Sequence, residues 1–194
     1  MCGRFTLRNY LKAEEQFKCD IGIPRRNIAP GQEILTITDL PRNMKWGFTP
    51  YWADKPFNFI NARSETIDTK PSFKNASRCL IPSDGWYEWR QEDEHKIPYF
   101  HHLEEEIFTF AGVFGGFRGK MGCVILTMKA PIKVEHIHDR APVIIEKSRR
   151  KDWLEGNLKD IYASNVYERV QYYPVSNHVN NPQVDDDKCL KKLD

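Results

Sequence analysis

Residues 79–90 read Cys-Leu-Ile-Pro-Ser-Asp-Gly-Trp-Tyr-Glu-Trp-Arg. Apolar and aromatic runs flank Ser83-Asp84-Gly85, so the stretch predicts two strands around a tight turn. On an alternating strand Trp86, Glu88 and Arg90 share one face. Two readings of Glu88 follow. Its aromatic neighbours desolvate the carboxylate and raise its pKa, which suits general acid–base work. Alternatively, the three residues form an exposed ion-pair stripe.

Working outward, residues 91–96 form a polar hairpin loop. Further strands are expected at 98–101, 107–114, 122–127 and 143–145. Upstream, residues 33–38 alternate as a strand, and 45–48 are another candidate. Residues 7–18 place Leu7, Tyr10, Leu11, Glu14 and Phe17 on one face of an amphipathic helix, with Thr6 as its N-cap. Residues 21–32, punctuated by Gly22, Pro24, Pro30 and Gly31, read as an ordered loop. Residues 49–62 hold two prolines and four aromatics and suit no periodic element. Residues 147–155 read as a short helix burying Trp153 and Leu154. Many short strands with few helices predict an α+β fold. The expectation is one domain over 1–180, a curved, mostly antiparallel β-sheet or partial barrel flanked by short helices, and a polar, frayed tail over 181–194.

A chain of 194 residues, 40% hydrophobic and 29% charged, is not a disordered segment, a collagen or a coiled-coil rod. A net charge of +2 excludes a histone-like polycation, although local basic patches still bind nucleic acid. Residues 1–90 carry 14 basic and 10 acidic side chains, whereas 91–194 carry 15 and 17, so the basic excess lies in the first half. The cysteines (Cys2, Cys19, Cys79, Cys123, Cys189) are odd in number and include no CxxC pair. That fits a reducing cytoplasm and argues against disulfides or a zinc knuckle. No stretch approaches the ~18 apolar residues of a membrane span. Met1-Cys-Gly-Arg-Phe5 lacks a charged region followed by an apolar run. The expected location is cytoplasmic, nucleoid-associated in a bacterium.

Cys2 carries the most chemistry. Methionine aminopeptidase removes Met1 before a small residue, which leaves an α-amine and a thiol on adjacent carbons. Both are partly nucleophilic near neutrality. A 1,2-aminothiol condenses with an aldehyde to an imine, and the thiol then closes a five-membered thiazolidine. Alternatively, the thiol attacks an acyl group with its own amine as base. The plain alternative is a small residue at a processed terminus. Gly3 lets backbone approach a ligand closely, and Arg4 offers a fork for phosphate or a solvated charge. Asn61 follows the apolar run 57–60 and opens Asn61-Ala-Arg63-Ser-Glu65-Thr66, which also reads as a capped helix or a turn. His136 and His138 have strand spacing for a metal, but no third ligand is evident, so none is expected. His138-Asp139-Arg140 better suits acid–base work beside a phosphate anchor. Phe48, Tyr51 and Trp52 either stack on nucleobases or pack in the core.

Several blocks in order resemble the SRAP family, the SOS-response-associated peptidases or abasic-site-processing proteins. They are Met1-Cys-Gly-Arg-Phe5, Asn27-Ile-Ala-Pro30-Gly31, Trp46-Gly-Phe48, Phe59-Ile-Asn-Ala-Arg-Ser-Glu-Thr66, Gly85-Trp-Tyr-Glu-Trp89, Ile137-His-Asp-Arg-Ala-Pro142 and Pro174-Val-Ser176 with Val179-Asn180. The resemblance implies an abasic-site sensor acting on single-stranded DNA and single-strand/duplex junctions. It implies a thiazolidine cross-link through Cys2 that shields the lesion, with autopeptidase and cross-link reversal as further activities. It makes Cys2 the nucleophile, Asn61 the group that orients the amine or the opened sugar, Glu88 the acid–base and His138 a proton carrier at the sugar. Gly3, Arg4, Asn27, Pro30, Trp52, Arg63, Arg140, Ser176 and Asn180 are then expected along the DNA, with Arg140 equally able to anchor its loop. No cofactor or membrane partner is implied, and a monomer suffices. Where members often carry a glycine and two tryptophans after the proline, this chain has Tyr51-Trp52-Ala53. An N-terminal cysteine amidohydrolase acting on external substrates and a non-enzymatic single-strand-binding module are the competing readings.

Overall fold

The computed structural model describes residues 2–104, 106–157, 162 and 165–193. The chain runs β1 (Arg4–Leu7), α1 (Tyr10–Phe17), β2 (Arg25–Ile28), β3 (Glu33–Ile37), β4 (Pro41–Trp46), β5 (Asn61–Arg63), β6 (Ser77–Ser83) and β7 (Gly85–Glu92). It continues with β8 (His95–His102), β9 (Phe108–Phe117), β10 (Lys120–Lys129), α2 (Ile132–Glu135), β11 (Arg140–Pro142), β12 (Ile144–Ile145), α3 (Arg150–Glu155) and β13 (Gln171–Pro174). The α+β expectation therefore holds.

Two sheets carry the structure. One is antiparallel in the order β13-β8-β7-β1-β2. In the other, β4, β3, β6, β9 and β10 follow one another, and β10 returns to pair with β4. That last pairing closes a five-stranded ring and removes its open edges. β10 also runs parallel to β5 and antiparallel to β11. Successive side chains of β10 enter different cores. Cys123 and Ile125 join the core that holds Phe5, Trp46 and Phe110, while Val124 and Leu126 join a second core with Leu80, Ala111 and Trp153. All four are fully buried, so this strand reads as a continuous apolar run.

The first core centres on β1. Phe5 packs edge-on against Trp46 and Phe110 at centroid distances of 5.2 and 5.9 Å, and Trp86 meets Phe110 at 6.2 Å. Such edge-to-face pairs satisfy the ring quadrupoles as well as burying area.

The structure corrects several sequence expectations. Ser83-Asp84-Gly85 does not fold β6 onto β7; it carries the chain from the barrel to the other sheet. Asp84 is fully buried there, accepting from Thr6 Oγ1 at 2.5 Å and from the backbone N–H groups of Arg8 and Asn9 at 2.8 Å each. Gly85 is obligatory, because a Cβ would stand 2.3 Å from the Phe100 ring and 2.9 Å from the His101 carbonyl. The same contacts delay the first helix to Tyr10. Thr6 is a strand residue held by Asp84 rather than an N-cap, Leu7 is core, and Leu11 is 65% exposed. Residues 25–28, expected in a loop, pair with β1. The tail is not frayed. Arg25 pairs with Asp185 at 2.9 Å, Arg26 pairs with Asp187, and Cys189 is fully buried beside Tyr87 and Phe100.

Replacing Asp84 with alanine orphans a buried hydroxyl and two N–H groups. The expected loss is about 2–4 kcal/mol of unfolding free energy in a urea titration, with Asp84→Asn losing less.

Candidate active site

The β1–β7 register places the site. Arg4 pairs with Tyr87 and Phe5 with Trp86, so the same register continued by one residue sets Gly3 abreast of Glu88. Cys2 lies just beyond, fully buried, its thiol 3.8 Å from the Arg4 carbonyl. Asn61 arrives on β5, held alongside Ile125 of β10, and its Nδ2 donates to the Cys2 carbonyl at 2.9 Å. Three chain segments, separated by 59 and 27 residues in sequence, thus meet at one point (Cys2, Asn61, Glu88).

Glu88 is 3% exposed, and burial pushes its pKa up to about 7. The exposed-stripe reading fails because Trp86 and Glu88 point into the protein. Asp139 lies near enough to push Glu88 in the same direction. Burial, followed by the nearby Glu88 carboxylate, raises the Cys2 thiol well above its ordinary value. The resting thiol therefore carries its proton at neutral pH, and Glu88 is poised to gain or lose one.

Tyr167 completes the wall, and no sequence pattern pointed to it. It is fully buried, donates from Oη to the Pro142 carbonyl at 2.5 Å, and packs 6.1 Å from Trp86. Its phenol is raised by burial first and then by the charges of Cys2 and Glu88. His138 stands at the rim, its side chain 27% exposed. The Arg140 N–H donates to His138 Nδ1 at 3.0 Å, which leaves the ring proton on Nε2. Asp139 Oδ1 lies 2.8 Å from the same Nδ1 and accepts from it whenever that nitrogen carries a proton. Burial lowers the His138 pKa and favours the neutral ring.

The arginines divide. Arg140 grips Glu65 bidentately at 2.6 and 2.9 Å and the Thr127 carbonyl at 2.6 Å, and its hydrogen bonds hold Glu65 down to about 2. It crosses β10 as an anchor of its own loop. Arg63 is exposed on β5 opposite Thr127. Arg4 is half-buried and donates to the Gly3 carbonyl at 2.7 Å. Asn27 corrects the expected DNA path: it is fully buried, and its Nδ2 serves the carbonyls of Val179, Asn181 and Val184. Ser176 donates to the Lys188 carbonyl, and Asn180 accepts from Trp89 Nε1 at 2.8 Å, so both hold the tail. Pro30 is half-buried between β2 and β3. Phe48 is core, whereas Tyr51 and Trp52 are 64% and 49% exposed. Among the described residues no three His, Cys, Asp or Glu side chains converge to hold a metal, and His136 packs on Tyr172 at 5.3 Å. No described helix is long and apolar enough to cross a membrane.

Residues 1–182 match the family model described as SOS response associated peptidase, and the chain belongs to that family. Its relatives include the abasic site processing protein YoqW of Bacillus subtilis, 36% identical with 94% of this chain and 96% of that one covered. Another is YedK of Escherichia coli, of the same printed description, 31% identical over 93% and 95%. A phage-related protein of Bordetella bronchiseptica superposes with a TM-score of 0.73 at 29% identity, covering 90% of this chain and 94% of that one. A Bacteroides thetaiotaomicron protein shares the fold at a TM-score of 0.83 and 22% identity, over 99% and 100% of the chains.

A carboxyl group whose pKa is raised by folding stabilises the protein below its unfolded pKa and loses that contribution as pH rises through the folded value. For Glu88 the window runs from 4.5 to about 7. The difference in unfolding free energy between wild type and Glu88→Gln is expected to shift in favour of the variant across that window, by on the order of 3 kcal/mol. Denaturant titrations of both proteins at several pH values measure it.

Proposed function

We propose that the chain captures abasic sites in single-stranded DNA, including at junctions with duplex, as a covalent adduct of Cys2 after Met1 has been removed. The observation that carries this reading is the burial of Glu88, with a pKa near neutrality, against the residue that supplies both nucleophiles. The ring-opened abasic sugar presents an aldehyde. The Cys2 amine adds to it, water leaves to give the imine, and the thiol adds across the C=N bond to close a thiazolidine. The balance is aldehyde plus aminothiol giving the ring plus one water, with no redox step.

Each neighbour has a task. Protonated Glu88 delivers the proton that accompanies the departing water, and its carboxylate then takes the thiol proton. Asn61 fixes the Cys2 carbonyl and with it the direction of the amine. His138, with its proton on Nε2 at the rim, serves the sugar hydroxyls. Holding amine, thiol and acid together gives ring closure a high effective molarity. Arg4 and Arg63 take flanking phosphates without reading sequence, and Trp52 offers a stacking face. An abasic site has no base to unstack, so drawing it into the pocket costs little. The adduct shields the lesion from strand cleavage, and a monomer in the compartment that holds DNA suffices.

A denaturing gel with an abasic single strand tests this. Wild type gives a heat-stable shifted band, and Cys2→Ala gives none. A chain whose N-terminus is blocked by an uncleaved extension also gives none, although its thiol is intact. Glu88→Gln slows adduct formation about 10²-fold. Undiminished cross-linking by the blocked chain would exclude the aminothiol mechanism and favour attack by the thiol alone.

A further inference from the structure

A second feature lies along the same strand edge as the site. β4 and β5 follow one another along one side of β10, Lys45 pairing with Gly122 and Asn61 with Ile125. Above Gly122 opens a cleft of about 290 Å³ whose rim carries Lys45, Lys120 and Arg118. No carboxylate lines it, and none of the described residues forms an ion pair with these three cations. Glu33 faces Lys45 across β3–β4 without reaching ion-pair distance. Other exposed arginines carry a carboxylate partner, Arg42 with Asp39 and Arg169 with Glu106, although Arg63 beside the site has none among the described residues. A cluster of three unpaired like charges is destabilising in isolation and becomes favourable when an anion joins it.

The floor is bare backbone for a packing reason. A Cβ on Gly122 would stand 2.4 Å from the Gly47 carbonyl, and one on Gly115 would stand 3.0 Å from the Phe48 ring. The hairpin between β9 and β10 is tied to the aromatic loop, because Arg118 Nη2 donates to the Asp54 carbonyl at 2.5 Å. Pro56 lines the cleft, so it is continuous with the exposed Phe57 and Trp52, whose rings meet at 6.0 Å. Three residues of strand, about 10 Å, separate Gly122 from Ile125. That spacing matches about three stacked nucleotides at ~3.4 Å each.

We propose that this cleft is a phosphate subsite for the DNA strand that flanks the lesion, with Lys45, Lys120 and Arg118 taking backbone phosphates about three nucleotides from the captured sugar. The placement of the strand rests on the cross-linking reading. A polyanion suits the open rim and its spaced charges better than a single small anion does.

The test uses Lys45→Gln/Lys120→Gln, which leaves the Arg118 tether in place. Two abasic single strands are compared at limiting concentration, one with a single flanking nucleotide on each side and one with about six. Wild type is expected to cross-link the longer strand about 5–10-fold faster. The variant is expected to lose that advantage and to match wild type on the short strand. In the Cys2→Ala background, binding of an undamaged strand of about 15 nucleotides is expected to show a salt slope smaller by about 1.4 in the lysine variant. Equal long-strand rates in the two proteins overturn the subsite. If wild type forms no adduct with either strand, the cross-linking reading falls, and the undamaged-strand titration still decides the subsite: equal affinity and slope overturn it. Inorganic phosphate at about 1 mM is expected to leave strand binding nearly unchanged; complete competition would mark a small-anion site and overturn the assignment.

Discussion

The pairing of β1 between β2 and β7 is the constraint on which the chemistry depends. A terminus is ordinarily the most mobile part of a chain. Here four residues after Met1-Cys-Gly are locked into a sheet on both edges, and Phe5 is wedged among Trp46, Phe110 and the neighbouring core. Asp84 then binds the far end of the same strand through Thr6, Arg8 and Asn9. With β1 fixed at both ends, Cys2 has a defined position against Glu88. An amine and a thiol on a flexible tail would react with aldehydes, but without a proton donor at a set place.

The site stores an electrostatic cost in return. Glu88 and Cys2 sit where charge is poorly solvated, so burial raises both, and the Glu88 carboxylate raises Cys2 further. Nearby His101 shows the same low-dielectric environment acting on a base: fully buried and stacked 4.9 Å from Trp86, it is lowered to about 3. The fold tolerates these groups because the surrounding network is dense. Arg140, which bridges Glu65 and Thr127 across β10, stiffens the strand from which Asn61 and His138 are both hung.

Much of this was legible in the sequence, for identifiable reasons. Alternation gave β3, β9 and the hairpin of β7 and β8, and the α+β class followed. Cys2, Asn61, Glu88 and His138 each had a plainer reading by residue type and spacing, and it was the ordered set of family-like blocks that singled them out together. What was not legible depended on contacts distant in sequence. Thr6 looked like a helix cap because Asp84, its real partner, lies 78 residues away. Asn27 looked like a ligand contact, yet its amide is spent on the Val179 carbonyl and on two carbonyls of the tail, which its polar composition had marked as frayed. Tyr167 gave no signal at all, since a tyrosine in a four-residue 3-10 turn carries no pattern. The closure of the barrel through a parallel β10–β4 contact was equally invisible, because it depends on only two residue pairs.

In the proposed reaction one residue supplies both nucleophiles to one aldehyde. Intact-mass spectrometry of the purified chain, before and after incubation with an abasic oligonucleotide, addresses it most directly. The expected starting mass lacks Met1, and incubation is expected to give an adduct of protein plus oligonucleotide minus one water that survives heating without any reductant. A chain that has lost Met1 and whose mass is unchanged after incubation would contradict it.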